Sequence, residues 1–297
     1  MQPPYPAPVT EWHNDTYDAI NPKRSELSQA GKTVVITGAG QGIGREIVDA
    51  FAQASAKIIH ILGRTKQTLE ETKDIVEKRY PNAKIVVHVA DITDESAVGH
   101  AAREIGSWDV IVANAGYIPR PDLIETSDAD DWWKTFEAWL LFLINVKGNY
   151  VLARAFLPYK KAGGTIIAYS SGFAFLPPAL PFLSKSSAYS VSKMGTARFY
   201  EFLAVEHPDL NVFVLQPGII PTALYKKGEL ELDATLDKIQ LPAHFTVWLA
   251  SPEAKPLSGR FLFSNWDVEQ LKSQVVPRLE HDPVYLATSL GGFPFNS

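Results

Sequence analysis

Between Lys32 and Gln270 the chain alternates short β-rich runs with longer amphipathic stretches, and nothing else in it restricts the possible folds so tightly. The β-rich runs are 33–37 (TVVIT), 57–62 (KIIHIL), 84–89 (KIVVHV), 109–113 (DVIVA), 164–170 (GTIIAYS), 211–215 (NVFVL) and 260–263 (RFLF). Helical periodicity fills the gaps at about 43–54, 66–79, 95–104, 128–160, 188–206 and 244–250. Strand, helix, strand in repetition is the pattern of parallel strands joined by crossover helices. The expected architecture is α/β: one doubly wound, seven-stranded parallel sheet with helices on both faces, spanning residues 31–270. Residues 1–30 show neither period and carry Pro3, Pro4, Pro6, Pro8 and Pro22, so they read as an N-terminal arm, and 271–297 read as a C-terminal tail.

Composition excludes several functions. The chain has 28 basic and 33 acidic residues, a net charge of −5, and so no general attraction to a phosphate backbone or anionic lipid; nucleic acid and membrane are not expected partners. With no cysteine it has no disulfide, thiolate nucleophile or cysteine metal site. Its longest apolar run, Ala138 to Ile144, is seven residues, where a spanning helix needs roughly 20. The first basic residues, Lys23 and Arg24, come too late for a signal peptide, which leaves a cytoplasmic location as the expectation. No G-x-S-x-G elbow marks a hydrolase, and the seven histidines form no H-E-x-x-H or close pair, so no metal is expected.

In a doubly wound sheet the chemistry sits beyond the carboxyl ends of the strands. The first strand runs into Thr37-Gly38-Ala39-Gly40-Gln41-Gly42-Ile43-Gly44 and then a helix. Glycines there allow a tight turn and close approach of a pyrophosphate, and the helix N-terminus supplies positive potential. Asp91-Ile92 follows the third strand, Asn114-Ala115-Gly116 the fourth, Ser170-Ser171 the fifth, and Pro217-Gly218-Ile219-Ile220-Pro221-Thr222 the sixth. Tyr189 and Lys193 are four apart on an expected helix, which places both on one face.

These motifs, in this order, resemble those of the classical short-chain dehydrogenase/reductase family, whose sheet is Rossmann-type. The resemblance implies that Tyr189 is the general acid/base, Lys193 its modulator and a partner of the nicotinamide ribose, and Ser171 (or Ser170) a donor to the substrate oxygen. It implies that Asn145 holds a relay water near the lysine. It assigns the cofactor to Gly38, Gln41, Gly42, Ile43, Gly44, Arg64, Asp91, Ile92, Asn114, Ala115, Gly116, Tyr189, Lys193, Pro217, Gly218, Ile220 and Thr222, the threonine holding the nicotinamide carboxamide. A tyrosine hydroxyl titrates near 10, and a neighbouring ammonium is expected to lower it.

The cofactor expected is NADP(H) rather than NAD(H). Roughly 20 residues past the loop, where NAD-binding proteins place an acid, the chain reads Ile61-Leu62-Gly63-Arg64-Thr65-Lys66. Arg64 can bond a 2′-phosphate bidentately; it could equally cap the strand or stack on adenine. Ser171 and Tyr189 are separated by more residues than is usual in the family, and Phe173, Phe175, Leu176, Phe182 and Leu183 in the extra loop could wall an apolar pocket or pack the loop onto the body. A second apparent insertion, about six residues, precedes Asn145 and either lengthens its helix or shifts it. The same helix often forms the family's dimer face, so a homodimer or homotetramer is expected. The ending SGRFLFSNWDVEQL resembles a branch common in filamentous fungi, whose members often serve secondary metabolism. The activity implied is interconversion of a carbonyl and a secondary alcohol on a hydrophobic small molecule. The alternative is a relative that binds NADP as structure or sensor, or templates a cyclisation.

Overall fold

A computed structural model describes Pro3 and residues 7–118, 122–126, 142–180, 183–222 and 235–288. Seven strands form one parallel sheet: β1 (Thr33–Thr37), β2 (Ile58–Gly63), β3 (Ile85–Val89), β4 (Trp108–Ala113), β5 (Lys160–Tyr169), β6 (Asn211–Gln216) and β7 (Arg260–Phe263). Their spatial order is β3-β2-β1-β4-β5-β6-β7, with Val34 paired to Ile59 on one side and Val110 on the other. The order reverses between β1 and β4, so the two crossovers leaving these strands go opposite ways and open a crevice above the strand ends. The expected α/β sheet is therefore the observed one.

Both faces of the sheet are covered, which is why its strands are apolar at consecutive positions: Val34, Val35 and Ile36 are all fully buried. On one face α1 (Gly42–Gln53) packs against α2 (Lys66–Arg79) and a later helix, Gln240–Leu249. On the other, α3 (Glu95–Ile105) packs against α4 (Gly148–Phe156), and α5 (Ser187–Glu206) lies beside the π-helical turn Phe142–Lys147 that leads into α4. Gln240–Leu249 is α6.

One detail differs from the expectation and two add to it. The helix expected over 128–160 lies outside the described residues up to 141, and its end falls short: α4 gives way to a 3-10 turn at Leu157–Tyr159, and β5 begins at Lys160. Pro158 in that turn cannot continue an α-helix, and at the start of the strand Lys160 bonds Asp209 at 2.7 Å and Lys161 bonds Asp109 at 2.6 Å. Secondly, two histidines 28 residues apart in the chain meet in space. His60 Nδ1 and His88 Nε2, on neighbouring strands, are 3.0 Å apart, and burial pushes His60 down to about 4, which keeps the pair neutral near pH 7. Thirdly, residues 7–30 of the arm are packed onto the body: Ile20 and Leu27 are fully buried, and Trp12 bridges Trp266 beyond β7. Residues 281–288 return to the same edge, where Phe261 N donates to Leu286 O at 2.9 Å.

Candidate active site

Thr37 and Asn114 stitch the two central strands together at the reversal point. The Asn114 and Ala115 amides both donate to Thr37 Oγ1 at 3.1 Å, and Asn114 Nδ2 donates to Thr37 O at 3.0 Å. A polar pair is required because strand ends that diverge leave backbone groups without ladder partners. The glycine loop crosses above this stitch. Gly38 (φ +67°) and Gly42 (φ +55°) take left-handed conformations, and a Cβ on Gly44 would lie 2.1 Å from Gly38 O. Gln41 offers no side-chain cap, so the first amides of α1 face outward.

A cleft of about 340 Å³ opens there. It brings together Gly38, Gln41, Gly42, Ile43 and Gly44 with Arg64, Asp91, Ile92, Asn114, Ala115, Gly116 and Thr222. Tyr189, Lys193, Pro217, Gly218 and Ile220 do not line it; the last three carry the chain from β6 to Thr222, which stands opposite Gly42. The lining also includes Thr65 and Thr68, which the sequence reading passed over. Part of their signal was present: Thr65 lies two residues past the end of β2, and Thr68 is in the first turn of α2. The shape suits a dinucleotide: glycines remove side chains where a pyrophosphate must approach the backbone, and a helix N-terminus lies beside them. Arg64 is mostly exposed, with Nη1 3.9 Å from Asp91 Oδ2, and Asp91 is itself held through Oδ1 by the Thr93 amide and hydroxyl.

Tyr189 and Lys193 sit one turn apart at the start of α5, where Lys193 Nζ lies 5.9 Å from the Tyr189 ring centre. Ser171 follows β5, caps the 3-10 turn Gly172–Ala174, and is hydrogen-bonded to Tyr189. Ser170 points away, its hydroxyl donating to Lys193 O at 2.8 Å, so of the two serines only Ser171 is beside the tyrosine. The Gly172 amide donates to Gln216 Oε1 at 2.9 Å, which fixes this turn to β6.

The electrostatics differ from the expectation in one respect. Burial pushes the Tyr189 phenol up to about 12, and what opposes this is the Ser171 hydrogen bond rather than the lysine. Lys193 Nζ instead donates to Tyr169 O at 2.9 Å, and burial pushes the ammonium down to about 8.

Asn145 is the fourth member. It lies in the π turn, where the amide donates to Tyr117 O (3.2 Å) and Ser192 Oγ (3.1 Å) and accepts from Tyr117 N (3.2 Å). A π turn accommodates one extra residue within a helix. The chain before Asn145 is long, yet the residue stays beside α5 and Gly116: a Cβ on Gly116 would lie 3.4 Å from Asn145 Oδ1 and 3.3 Å from Lys193 Nζ. The Trp-containing start of that helix lies outside the described residues.

The long loop after Ser171 divides its aromatic residues. Phe173 meets Tyr189 edge-on, ring centres 5.8 Å apart, whereas Phe175 turns to Phe261 on β7 at 4.5 Å and Leu183 is buried. One residue thus borders the tyrosine and the others anchor the loop; Phe182 lies outside the described residues. No helix among the described residues is long and apolar enough to cross a membrane.

A family model described as short chain dehydrogenase matches residues 32–232. The short chain dehydrogenase mpl6 of Monascus purpureus is 32% identical over 286 residues, covering 92% of this chain and 94% of its own. The short chain dehydrogenase/reductase AacuD of Aspergillus aculeatus is likewise 32% identical, over 95% of this chain and 96% of its own. Among solved structures, levodione reductase superimposes with a TM-score of 0.70 at 20% identity, covering 79% of this chain and 96% of that one. The short chain dehydrogenase of Shigella flexneri gives 0.69 at 21% identity, covering 81% and 93%. At those identities the two structures speak for the fold alone. The family match and the near full-length fungal relatives say more: this chain belongs to the short-chain dehydrogenase/reductase family of oxidoreductases.

Proposed function

We propose that the protein is an NADP(H)-dependent oxidoreductase that interconverts a carbonyl and a secondary alcohol on an apolar small molecule, in fungal secondary metabolism. The observation that carries this reading is the contact of Ser171 with Tyr189, one helical turn from Lys193, at the strand ends beside a glycine-lined cleft. When bound, the nicotinamide supplies or accepts the hydride. Tyr189, still protonated near neutral pH, gives its hydroxyl proton to the substrate oxygen as that oxygen becomes an alkoxide. Ser171 transfers its hydrogen bond from the phenol to the same oxygen, which orients the carbonyl. Lys193, with its ammonium near 8, is charged at neutral pH and stabilises the phenolate left behind. Asn145 holds the π turn against α5 and so keeps the lysine end of the site in register. Phe173, edge-on to Tyr189, forms an apolar wall and supports a hydrophobic substrate.

The 2′-phosphate of NADP(H) is assigned to Arg64, with Thr65 and Thr68 beside it in the cleft. Arg64 is loosely paired and largely exposed, so it can turn to a dianion at little cost. Arg64→Ala should weaken NADPH binding by about tenfold or more while changing NADH binding less than about threefold. Fluorescence titration of both cofactors at one ionic strength reads the difference, and equal losses would refute the assignment.

The protein is proposed to pair with a second copy through α5. Val191, Met194, Phe202 and Val205 are 44–79% exposed and follow one helical face, and Arg198 stacks on Phe202 at 4.9 Å. A self-complementary apolar stripe of this kind fits a twofold interface. Phe202→Asp should convert a dimer to a monomer at micromolar concentration, as measured by light scattering. A wild type that is already monomeric would remove the proposal.

A further inference from the structure

A buried carboxylate that the proposed mechanism does not use lies on the far side of the β6 loop. Asp237 is 5% exposed and accepts from three neutral amides: Asn14 Nδ2 (2.5 Å) and Asn265 Nδ2 (2.9 Å) on Oδ1, and the Ile219 backbone amide (2.6 Å) on Oδ2. Its own amide donates to Ile219 O at 2.9 Å, so Asp237 and Ile219 are joined in both directions. Gly218, with φ +89°, comes so close that a Cβ there would lie 2.4 Å from Oδ2.

The donors come from three separate parts of the chain. Asn265 follows β7. Asn14 belongs to the N-terminal arm, whose backbone is tied in as well: Asn14 O accepts from the Lys238 amide at 2.8 Å, and His13 exchanges hydrogen bonds with Asn265, the His13 amide to Asn265 O and Asn265 Nδ2 to His13 O, each at 2.8 Å. Three residues after Ile219 stands Thr222, across the cleft from Gly42, in a turn closed by the Thr222 amide on Ile220 O at 2.7 Å. The clamp therefore fixes one end of a short, internally bonded segment whose other end lines the cleft.

We propose that Asp237, held by Asn14 of the arm and by Asn265, is a positioning residue that sets Thr222 for the nicotinamide half of the cofactor, so that the N-terminal arm is a working part of the site. This deepens the reading above and rests on it, because Thr222 faces a nicotinamide only if the cleft takes the dinucleotide. Asp237 and Asn14 touch neither cofactor nor substrate; they act through the Gly218–Ile219 backbone. A carboxylate is needed because it alone can accept from all three donors at once, whereas an amide would oppose one of them with its own N–H.

The test compares two probes in calorimetry: NADPH, and 2′-phospho-ADP-ribose, which lacks the nicotinamide. In Asp237→Asn the affinity for NADPH should fall about tenfold while that for the fragment stays within about twofold. A variant that merely loosens the fold would lose both equally, and that result overturns the inference, as does unchanged NADPH binding. Should Asp237→Asn fail to melt cooperatively, Asn14→Ala, which removes one half-buried amide, is judged by the same ratio. If the wild type binds neither probe, the proposed function itself fails and this inference falls with it. If the wild type binds both and the ratio does not move, only the positioning role is lost.

Discussion

Tyr189→Phe is expected to reduce turnover by about 10²–10⁴-fold while NADPH binding stays within about twofold of wild type. The substitution removes one oxygen and keeps the ring, so the edge contact with Phe173 and the start of α5 are retained. What is lost is the proton that the substrate oxygen needs as hydride arrives. Full activity in this variant would refute the general-acid role. The pH dependence carries a second signature. Burial places the phenol at about 12 and the lysine ammonium at about 8, so it is the lysine that titrates in the working range. A lowered lysine value means that charge is present below about 8 and lost above it. Carbonyl reduction by the wild type should accordingly decline as pH rises past 8, and in Lys193→Met the residual rate should show no such step.

Gly44→Ala is expected to be nearly as damaging, through a different route. The added Cβ would meet Gly38 O at 2.1 Å and Asn114 Nδ2 at 2.8 Å, and the first of these is backbone in the loop itself. The loop must then move off the Thr37–Asn114 stitch, at a cost of about 1–3 kcal/mol by analogy with overpacked sites. NADPH affinity should fall by about 100-fold, together with a drop in melting temperature. Gly99→Ala, inside α3 and with only Arg103 Nη1 at 3.5 Å, is the control. It should leave cofactor binding alone and raise the melting temperature slightly, since alanine favours a helix over glycine by up to about 1 kcal/mol. If Gly44→Ala binds NADPH as the wild type does, the glycine loop is not the pyrophosphate site.

The sheet was legible in the sequence because parallel strands buried on both faces need continuous apolar runs, and TVVIT or NVFVL admit few other readings. The end of the helix before β5 was legible in part: Pro158 breaks a helix locally, whereas the ion pairs of Lys160 with Asp209 and Lys161 with Asp109 join residues far apart in the chain and leave no local pattern. The His60–His88 pair was hidden for that second reason: a register between neighbouring strands, not spacing along the chain, brings the rings together. At the site, strand-end motifs gave the cleft residues, since the reversal of strand order gathers them whatever the loops do. Side-chain direction was less accessible. That Ser170 turns to Lys193 O while Ser171 meets Tyr189 follows from where β5 ends, and that Lys193 spends a hydrogen bond on Tyr169 O follows from how deeply α5 is seated. Asp237 gave no signal at all, because its partners lie in the arm and beyond β7 and a lone aspartate carries no motif.

The chain that lies along β7 has a consequence for how copies of the protein can associate. An edge strand with free amides is a template on which another molecule can continue the sheet, and such growth has no natural end. Here the outward amide of Phe261 is already occupied by Leu286 O, and the Arg260 guanidinium reaches Pro283 O at 2.8 Å along the same border. Strand addition on this side would have to displace the molecule's own polypeptide first. Under the proposed pairing through α5, association would use side chains instead of the backbone, and a helix face that matches itself about a twofold axis is used up once two molecules have met. Residues 283–286 thus block open-ended growth of the sheet at this edge.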